Sequence, residues 1–206
     1  MSDAAGFQDV PTTTIGDLLG REQFMDIGIR PLWNAPRAAG RAYPVKCAPG
    51  DNLMLHAAIY RAEPGSVIVV ESGDLDYALA GGNVCAIAHR RGIAAFVLDG
   101  VIRDIGEVRE LGFPVYGRGV IPKPGGKSVT APLNEPVTCG GVTVHPGDVV
   151  IADEDGVAVV PGARADAVLA DARARLAKEA AESLDAWEAE HRARVEKLLA
   201  ERGFEN

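Results

Sequence analysis

The spacing of apolar residues changes several times along the chain, and each change marks a predicted element. Residues 66–70 and 93–98 form short, continuous apolar runs rich in β-branched side chains, which is typical of strands buried on both faces. Between them, residues 83–91 follow helical spacing and Gly92 ends the helix. A strand, a helix and a strand in this order predict two parallel strands joined by a crossover.

Weaker patterns precede this unit. Residues 15–24 predict a short helix, and residues 41–47 predict a strand that ends at a turn. The spacing after Asp51 again suits a helix, with Asp51 or Asn52 as its N-cap. Pro64 and Gly65 break that helix before the first buried strand.

The second half of the chain changes character. Short apolar segments separated by glycine and proline turns predict an antiparallel or mixed sheet that packs on the first unit. Residues 153–156 lie between two of these segments and predict a hairpin turn. The segments predicted as strands are residues 115–116, 142–144, 149–152 and 157–160.

A helical extension is predicted at the end of the chain, because residues 163–202 contain no proline or glycine and carry apolar residues at helical spacing. Ser183 or Asp185 is placed to start a second helix there. We therefore predict an α/β domain over residues 1–162 and a helical extension over residues 163–206. The extension either folds as a hairpin on its own domain or packs on another subunit.

Composition narrows the classes of function. A chain of 206 residues with 47% hydrophobic content can build one sizeable core. Its 21 basic and 29 acidic residues give a net charge of −8, which argues against nucleic acid as a partner. The three cysteines are far apart in sequence, which suggests neither a zinc site nor a disulfide framework. No apolar run approaches the ~20 residues of a membrane span. We expect a soluble protein of the reducing cytoplasm without membrane partners.

The segment Asp99-Gly-Val-Ile-Arg-Asp104 directly follows a buried parallel strand, where open α/β sheets place their ligands. Arg103 offers a planar fork for a substrate carboxylate, and Asp104 offers an oxygen ligand for Mg²⁺. Together they suit a 2-oxo acid. Asp104 and Glu107 also form a capping box for the next helix, and on spacing alone this structural interpretation is the stronger one.

The segment Gly81-Gly82-Asn83-Val84 opens the helix of the parallel unit. Free backbone N–H groups at a helix start can bind an anion, although for two glycines alone a simple turn is the stronger interpretation. The segment lacks the GxGxxG spacing of a dinucleotide site. Its position allows it to converge with the Asp99 loop on one crevice.

Two further patterns are interpreted as structural. The segment Gly125-Gly126-Lys127-Ser128 resembles a phosphate-binding loop, but Ile121 stands where that motif needs glycine and no helix follows. The four histidines show no metal-ligand spacing, and ordinary core or surface roles are the stronger interpretation for each: His56, His89, His145 and His191.

In order along the chain, these motifs resemble the RraA-like family, which includes class II 4-hydroxy-4-methyl-2-oxoglutarate and 4-carboxy-4-hydroxy-2-oxoadipate aldolases. The similarity covers about residues 40–161. The segments that carry it are 81–84, 99–104, Gly112-Phe-Pro-Val115, Gly140-Gly-Val-Thr-Val-His-Pro-Gly-Asp148 and 152–161. The resemblance implies a layered α/β domain of the swivelling β/β/α type, assembled as a homotrimer or homohexamer with sites between subunits.

The resemblance also assigns roles. It implies that Gly81, Gly82, Asn83, Val84 and Arg103 bind the pyruvyl group. It implies that Asp104 binds Mg²⁺ or Mn²⁺ directly and that Asp99 contacts the metal site indirectly, through a water molecule. A glutamate from a neighbouring subunit's C-terminal helix is expected nearby, and Glu179 is the candidate.

The implied reaction is metal-dependent cleavage of a 4-hydroxy-2-oxo acid to pyruvate, with oxaloacetate decarboxylation as a side activity. The alternative is a non-catalytic regulator that binds a ribonuclease, as other members of the family do. The sequence departs from the family pattern at Gly82, where many relatives carry glutamate, and at Tyr43-Pro44-Val45. The first departure bears on substrate identity.

Overall fold

A computed structural model describes residues 4–204, so the outermost limits of the two predicted domains lie outside the described residues. The strands are β1 (Arg30–Pro31), β2 (Ala38–Lys46), β3 (Val67–Glu71), β4 (Ala95–Asp99), β5 (Val101–Ile102), β6 (Val115–Gly117), β7 (Gly119–Val120), β8 (Val137–Cys139), β9 (Val142–Val144), β10 (Val149–Asp153) and β11 (Gly156–Val160). The α-helices are α1 (Thr12–Gly16), α2 (Leu53–Ile59), α3 (Gly82–Arg90), α4 (Ile105–Leu111), α5 (Ala165–Ala181) and α6 (Leu184–Glu201). Short 3₁₀ turns cover Ala4–Phe7, Arg21–Gln23 and Gly162–Arg164.

A seven-stranded mixed sheet organises the α/β unit, in the order β1-β6-β4-β3-β2-β10-β11. Its centre, β2, β3, β4 and β6, is parallel. The outer strands β1, β10 and β11 run antiparallel to their neighbours. Because these four strands run in the same direction, their carboxyl ends lie at the same edge of the sheet.

The central strands are buried on both faces, which explains their continuous apolar sequences. Val67 and Val69 of β3 join one apolar cluster, while Ile68 and Val70 join the cluster on the opposite side. All four are at most 1% exposed. The core therefore holds β3 and β4 rigidly and fixes where the loops after them begin.

Most elements of the parallel unit agree with the prediction. The two strands of the crossover are indeed parallel. Residues 153–156 form the turn of an antiparallel hairpin, with Asp153 opposite Gly156. The helix predicted over residues 15–24 is wrong in extent, because α1 ends at Gly16 and Phe24 instead forms a bridge with Ala158 of β11.

The chain divides into two compact units, one up to Ala172 and one from Arg173, and the division falls inside α5. In the first unit, Ala165, Val168 and Ala172 of α5 are buried. In the second unit, the hydroxyl of Ser183 accepts a hydrogen bond of 3.2 Å from the N–H of Ala186, so Ser183 caps α6 as the sequence predicts. No described residue of α6 is buried.

Among the described residues, no helix is long and apolar enough to cross a membrane. The three cysteines are all buried and unpaired.

Candidate active site

A small cleft opens at the start of α3, where the loops after β3 and β4 meet. Its volume is about 80 Å³. Pockets for larger ligands are typically ~300–1,000 Å³, so this cleft suits a small organic molecule. The residues that line it are Asn52, His56, Ala78, Leu79, Ala80, Gly81, Asn83, Val84, Arg103, Asp104, Pro124 and Lys127.

Arg103 and Asp104 lie together in this cleft. The Nε atom of Arg103 is 3.4 Å from Oδ2 of Asp104, and their side chains are 43% and 37% exposed. An ion pair this long and this exposed contributes little to stability. The two charged groups are therefore held near each other and remain accessible to a ligand.

The backbone of Asp104 is left-handed, with φ 58°, which is uncommon for a residue other than glycine. Asp104 occupies the N-cap position of α4, yet its side chain makes no capping hydrogen bond. Its Oδ2 atom instead accepts a hydrogen bond of 3.2 Å from the N–H of Gly82. The capping-box interpretation is therefore wrong, and the strained residue directs its carboxylate toward the start of α3.

The glycines at this helix start allow a close approach. A Cβ atom built on Gly81 would overlap Oδ2 of Asp104 and press on the Arg103 side chain. The first α3 hydrogen bond runs from the N–H of Cys85 to the carbonyl of Gly81, over 3.0 Å. The N–H groups of Asn83 and Val84 precede that bond and have no partner within the helix. Such groups can bind a carboxylate or a carbonyl oxygen.

Two polar residues in the cleft have buried atoms without a hydrogen-bond partner. Asn52 is 5% exposed, and its amide nitrogen donates to the carbonyl of Ala78 over 3.1 Å. Its Oδ1 atom has no partner, and neither has Nε2 of His56. The two residues are four apart at the start of α2, so their side chains share one face of the helix.

The surroundings of His56 favour its neutral form. Desolvation lowers its pKa, and the positive charge of Lys127 lowers it further, while the backbone of Leu79 and the charge of Asp51 act in the opposite direction. Its Nε2 atom is buried without a partner, and an imidazole nitrogen can either donate or accept a hydrogen bond.

Lys127 reaches the cleft because Asp51 anchors its loop. Oδ2 of Asp51 accepts hydrogen bonds from the N–H of Ser128 over 2.5 Å and of Val129 over 3.2 Å. Oδ1 accepts from the N–H of Leu53 over 2.9 Å, at the start of α2. Burial works to raise the pKa of Asp51, but the bonds from Ser128, Leu53 and Val129 outweigh it and lower the pKa. One carboxylate thus ties the loop of Lys127 to the helix of His56.

Comparison with known proteins places these features in a family. The RraA-like family model, described as Aldolase/RraA, matches residues 3–159. The chain belongs to the RraA-like family. The layered α/β fold is the one that the sequence resemblance implied, and solved structures of RraA proteins share it.

Two relatives and one structure show how far the likeness of this RraA-like chain extends. A protein of Halalkalibacterium halodurans named "Putative 4-hydroxy-4-methyl-2-oxoglutarate aldolase" is 38% identical, over 96% of this chain and 91% of that protein. A Thermus thermophilus protein named 4-hydroxy-4-methyl-2-oxoglutarate aldolase is 30% identical, over 73% of this chain and 92% of that protein. The crystal structure of Streptomyces coelicolor RraAS2, described as an unusual member of the RNase ES inhibitor RraA protein family, has a TM-score of 0.75. It is 29% identical and covers 93% of this chain and 96% of its own.

Most of the residues that the sequence assigned to the site are brought together. Gly81, Asn83, Val84, Arg103 and Asp104 all line the cleft. Gly82 is buried beside them, with its N–H bound to Asp104.

Asp99 lies apart from this group. It lines a separate depression with Arg118, whose Nε donates to Oδ1 of Asp99 over 2.8 Å. Oδ2 of Asp99 accepts from the N–H of Gly140 over 2.9 Å. Arg118 also donates to both carboxylate oxygens of Asp26, over 2.5 and 2.7 Å. The indirect role predicted for Asp99 stays a prediction, and in this chain its carboxylate is committed to Arg118 and Gly140.

Glu179 lies in the second unit, where its carboxylate is 2.9 Å from Nε of Arg175, one helical turn earlier on α5. Its contribution to a neighbouring subunit's site stays a prediction.

The family departure at Gly82 has a local physical counterpart. A Cβ atom built on Gly82 would overlap Oε2 of Glu107, which belongs to α4. The carboxylate of Glu107 thus fills the space that a longer side chain at position 82 would need. This RraA-like chain therefore places a glutamate carboxylate over position 82 from a different element.

Asn52, His56 and Lys127 are polar cleft residues that the sequence did not assign to the site. They are far from the Arg103-Asp104 motif in sequence, and His56 has no partner at metal-ligand spacing. The available signals were the polar start of α2 at Asp51-Asn52 and the glycine-rich loop around Lys127. That loop is irregular, as predicted, but it lines the site.

Proposed function

We propose that this protein is a divalent-metal-dependent lyase that cleaves 4-hydroxy-2-oxo acids of the 4-hydroxy-4-methyl-2-oxoglutarate type and releases pyruvate. Two relatives carry this substrate in their names. The observation that carries the proposal is the Asp104 carboxylate. It sits on strained backbone, leaves its own helix uncapped and lies beside the Arg103 guanidinium in the cleft.

Arg103 is the group best suited to hold the substrate carboxylate, because a guanidinium binds both carboxylate oxygens at once. The N–H groups of Asn83 and Val84 lie in the same cleft and favour negative charge on an oxygen at the start of α3. Lys127 adds a second cation to the lining. Two cations around one small cleft favour a dicarboxylic acid over a monocarboxylic one.

The proposed metal fits this donor set if the protein supplies few of its ligands. Among residues 4–204 there is no group of three or more histidine, cysteine, aspartate or glutamate side chains arranged to hold a metal ion. Mg²⁺ commonly binds through one or two carboxylates and completes its shell with water and substrate oxygens. Asp104 would hold Mg²⁺ or Mn²⁺ in this way. When bound, the metal supplies Lewis-acid polarisation of the substrate's keto oxygen.

In the proposed retro-aldol step, the C4 hydroxyl gives its proton to a base, for which a water near Asp99 or Glu179 of the neighbouring subunit is the candidate, and C4 becomes a carbonyl. The bond between C3 and C4 breaks, its electron pair remains on the pyruvyl fragment as an enolate, and protonation at C3 gives pyruvate. Arg103 fixes the pyruvyl carboxylate, and its positive charge stabilises the charge that develops next to it. The α3 amides orient the same fragment without moving. Oxaloacetate decarboxylation passes through the same pyruvate enolate, so we infer it as a side activity.

The test is pyruvate release from oxaloacetate and from 4-hydroxy-4-methyl-2-oxoglutarate, with Mg²⁺ and with chelator. We expect release from both substrates with Mg²⁺ and none with chelator. Arg103→Lys should lose activity by about tenfold or more, because a point charge replaces the fork. Failure of both substrates to give metal-dependent pyruvate would refute the proposal.

A second candidate is a non-catalytic regulator that binds a ribonuclease. The likeness to RraAS2 and the net charge of −8, which suits a basic partner, favour it. Co-sedimentation with a purified RNase E-type ribonuclease separates the two candidates. Binding without any pyruvate release would support the regulator.

We also infer a homotrimer or homohexamer in which Glu179 of one subunit approaches the cleft of another. The exposed Trp187, stacked on His191 in the second unit at 4.6 Å, suits a subunit contact. Light scattering of the wild type gives the assembly. Glu179→Gln with reduced turnover and an unchanged assembly would support the catalytic part.

A further inference from the structure

Oδ1 of Asn52 and Nε2 of His56 are buried polar atoms without a hydrogen-bond partner among the described residues, and both residues line the cleft. Buried polar atoms are almost always hydrogen-bonded, and leaving one unpaired costs about 1–3 kcal/mol. The amide nitrogen of Asn52 donates to Ala78, so Oδ1 of Asn52 requires a hydrogen-bond donor from a ligand in the cleft. Nε2 of His56 requires a ligand group that pairs with it beside that donor.

The surrounding charges restrict what that donor can be. Arg103 and Lys127 line the same cleft, so an ammonium group would be repelled. The donor should be neutral and should belong to an anion, since the two cations favour a negatively charged ligand. The small volume of about 80 Å³ leaves room for a compact donor. A hydroxyl group on a carboxylic acid meets all of these conditions, because it can donate its proton to Oδ1 of Asn52 while its oxygen accepts a hydrogen bond from Nε2 of His56.

We propose that Asn52 and His56 form a specificity subsite for the hydroxyl group of the substrate. The inference rests on the proposed function and deepens it, because it selects hydroxylated 2-oxo acids over plain ones such as oxaloacetate. A site built to bind a hydroxyl discriminates against analogues that lack it, because its polar atoms are then left unpaired. Asn52 and His56 act on substrate choice, while Arg103 holds the part that both kinds of substrate share.

The experiment compares two acids that differ only in this group, 2-oxoglutarate and 4-hydroxy-2-oxoglutarate. Their dissociation constants are measured by calorimetry with chelator present, so that neither is turned over. We expect the wild type to bind the hydroxylated acid about tenfold more tightly, which is one ordinary hydrogen bond. Equal affinity for the two acids, or no binding of either, would overturn the inference without any variant.

A matched pair of substitutions locates the effect. His56→Asn keeps a donor near the position of Nδ1 and removes Nε2, whereas His56→Gln keeps a polar atom near the position of Nε2. The hydroxyl preference should fall to about threefold or less in His56→Asn and be largely retained in His56→Gln. Asn52→Leu, which removes Oδ1 at similar volume, is a second route to the same loss. An unchanged preference in both His56→Asn and Asn52→Leu would contradict the subsite.

The two proposals fail separately. Pyruvate release with no preference for the hydroxylated acid would remove the subsite and leave the lyase intact. A hydroxyl preference with no metal-dependent pyruvate from either substrate would remove the lyase and leave a hydroxy-acid binding site.

Discussion

Two arginine–aspartate pairs lie close to the end of β4, and they differ in distance, exposure and backbone conformation. Asp99 and Arg118 are bound tightly, and Arg118 also holds Asp26 through both carboxylate oxygens. The Arg118 bonds raise the pKa of that guanidinium and, opposed by burial, lower the pKa of Asp26. Every charged group in this first pair has a partner of normal geometry.

The second pair, Arg103 and Asp104, is longer, more exposed and built on strained backbone. Strained backbone costs free energy, and it persists where a function requires it. The tightly bonded pair is therefore interpreted as a structural clamp and the loosely bonded pair as the chemical site. Proximity in sequence does not separate the two, since Asp99 and Asp104 belong to the same loop.

The largest effect is expected for Asp104→Asn. Asparagine tolerates left-handed backbone, so the local fold should survive while the charge is lost. Metal-dependent pyruvate release should fall by two to three orders of magnitude, or about 3–4 kcal/mol of transition-state stabilisation. Steady-state kinetics measure the loss, and Mn²⁺ titration followed by electron paramagnetic resonance should show weaker metal binding. Normal turnover with normal Mn²⁺ affinity would contradict the metal role of Asp104.

The next effect tests the clamp. Asp99→Asn should lower the free energy of unfolding by about 1–3 kcal/mol, because Arg118 loses a charge-assisted hydrogen bond that is largely shielded from solvent. Asp104→Asn is the matched control and should change it by less than about 1 kcal/mol. Urea denaturation of both variants gives the comparison. The distinction between the pairs would fail if Asp104→Asn were the more destabilised protein.

The sequence predicted the two central strands well, because local composition decided them. The runs around Ile68 and Val97 are apolar and too short for a helix between two turn signals. The separate sheet predicted from the later strands is wrong, because β6, β10 and β11 join the central strands in one sheet. The helix predicted over residues 15–24 failed for a non-local reason. Gly16 and Gly20 weaken it, and Phe24 gains a bridge to Ala158 on a strand far along the chain.

The site divides in the same way. Arg103, Asp104 and the start of α3 were predicted because each lies in a short motif that a family resemblance could carry. Asn52 and His56 belong to the site because the start of α2 contacts the cleft segment at Ala78, and Lys127 belongs to it because Asp51 ties its loop to α2. These contacts join residues that are far apart in the sequence, so no local spacing predicts them. The decision between capping and chemistry for Asp104 likewise required its side-chain direction, which the sequence does not contain.

That anchor makes a pH prediction. The pKa of Asp51 is lowered in the folded protein below its ordinary value of 3.8, so its stabilising contribution is complete above that pH and is lost as the pH falls through the lowered pKa. Asp51→Asn should therefore destabilise the protein by about 1 kcal/mol or more at pH 6 and by less at pH 3. Chemical denaturation of both proteins at the two pH values measures the difference. An equal loss at both pH values would mean that the charge of Asp51 does not hold the loop.

The smallest effect concerns the surroundings of the Arg103–Asp104 pair, where Glu107 lies over Gly82. Alanine at a helix start normally improves on glycine by about 0.5–1 kcal/mol, because it loses less backbone entropy. In the wild type, a Cβ at position 82 would displace the Glu107 carboxylate, so Gly82→Ala should gain less or lose stability. In a Glu107→Ala background the obstacle is gone and the full gain should return. A double-mutant cycle from urea denaturation measures this coupling. Coupling indistinguishable from zero would show that Glu107 does not occupy the space over Gly82 in solution. The overlap with Glu107 would then not explain why glycine occupies this position.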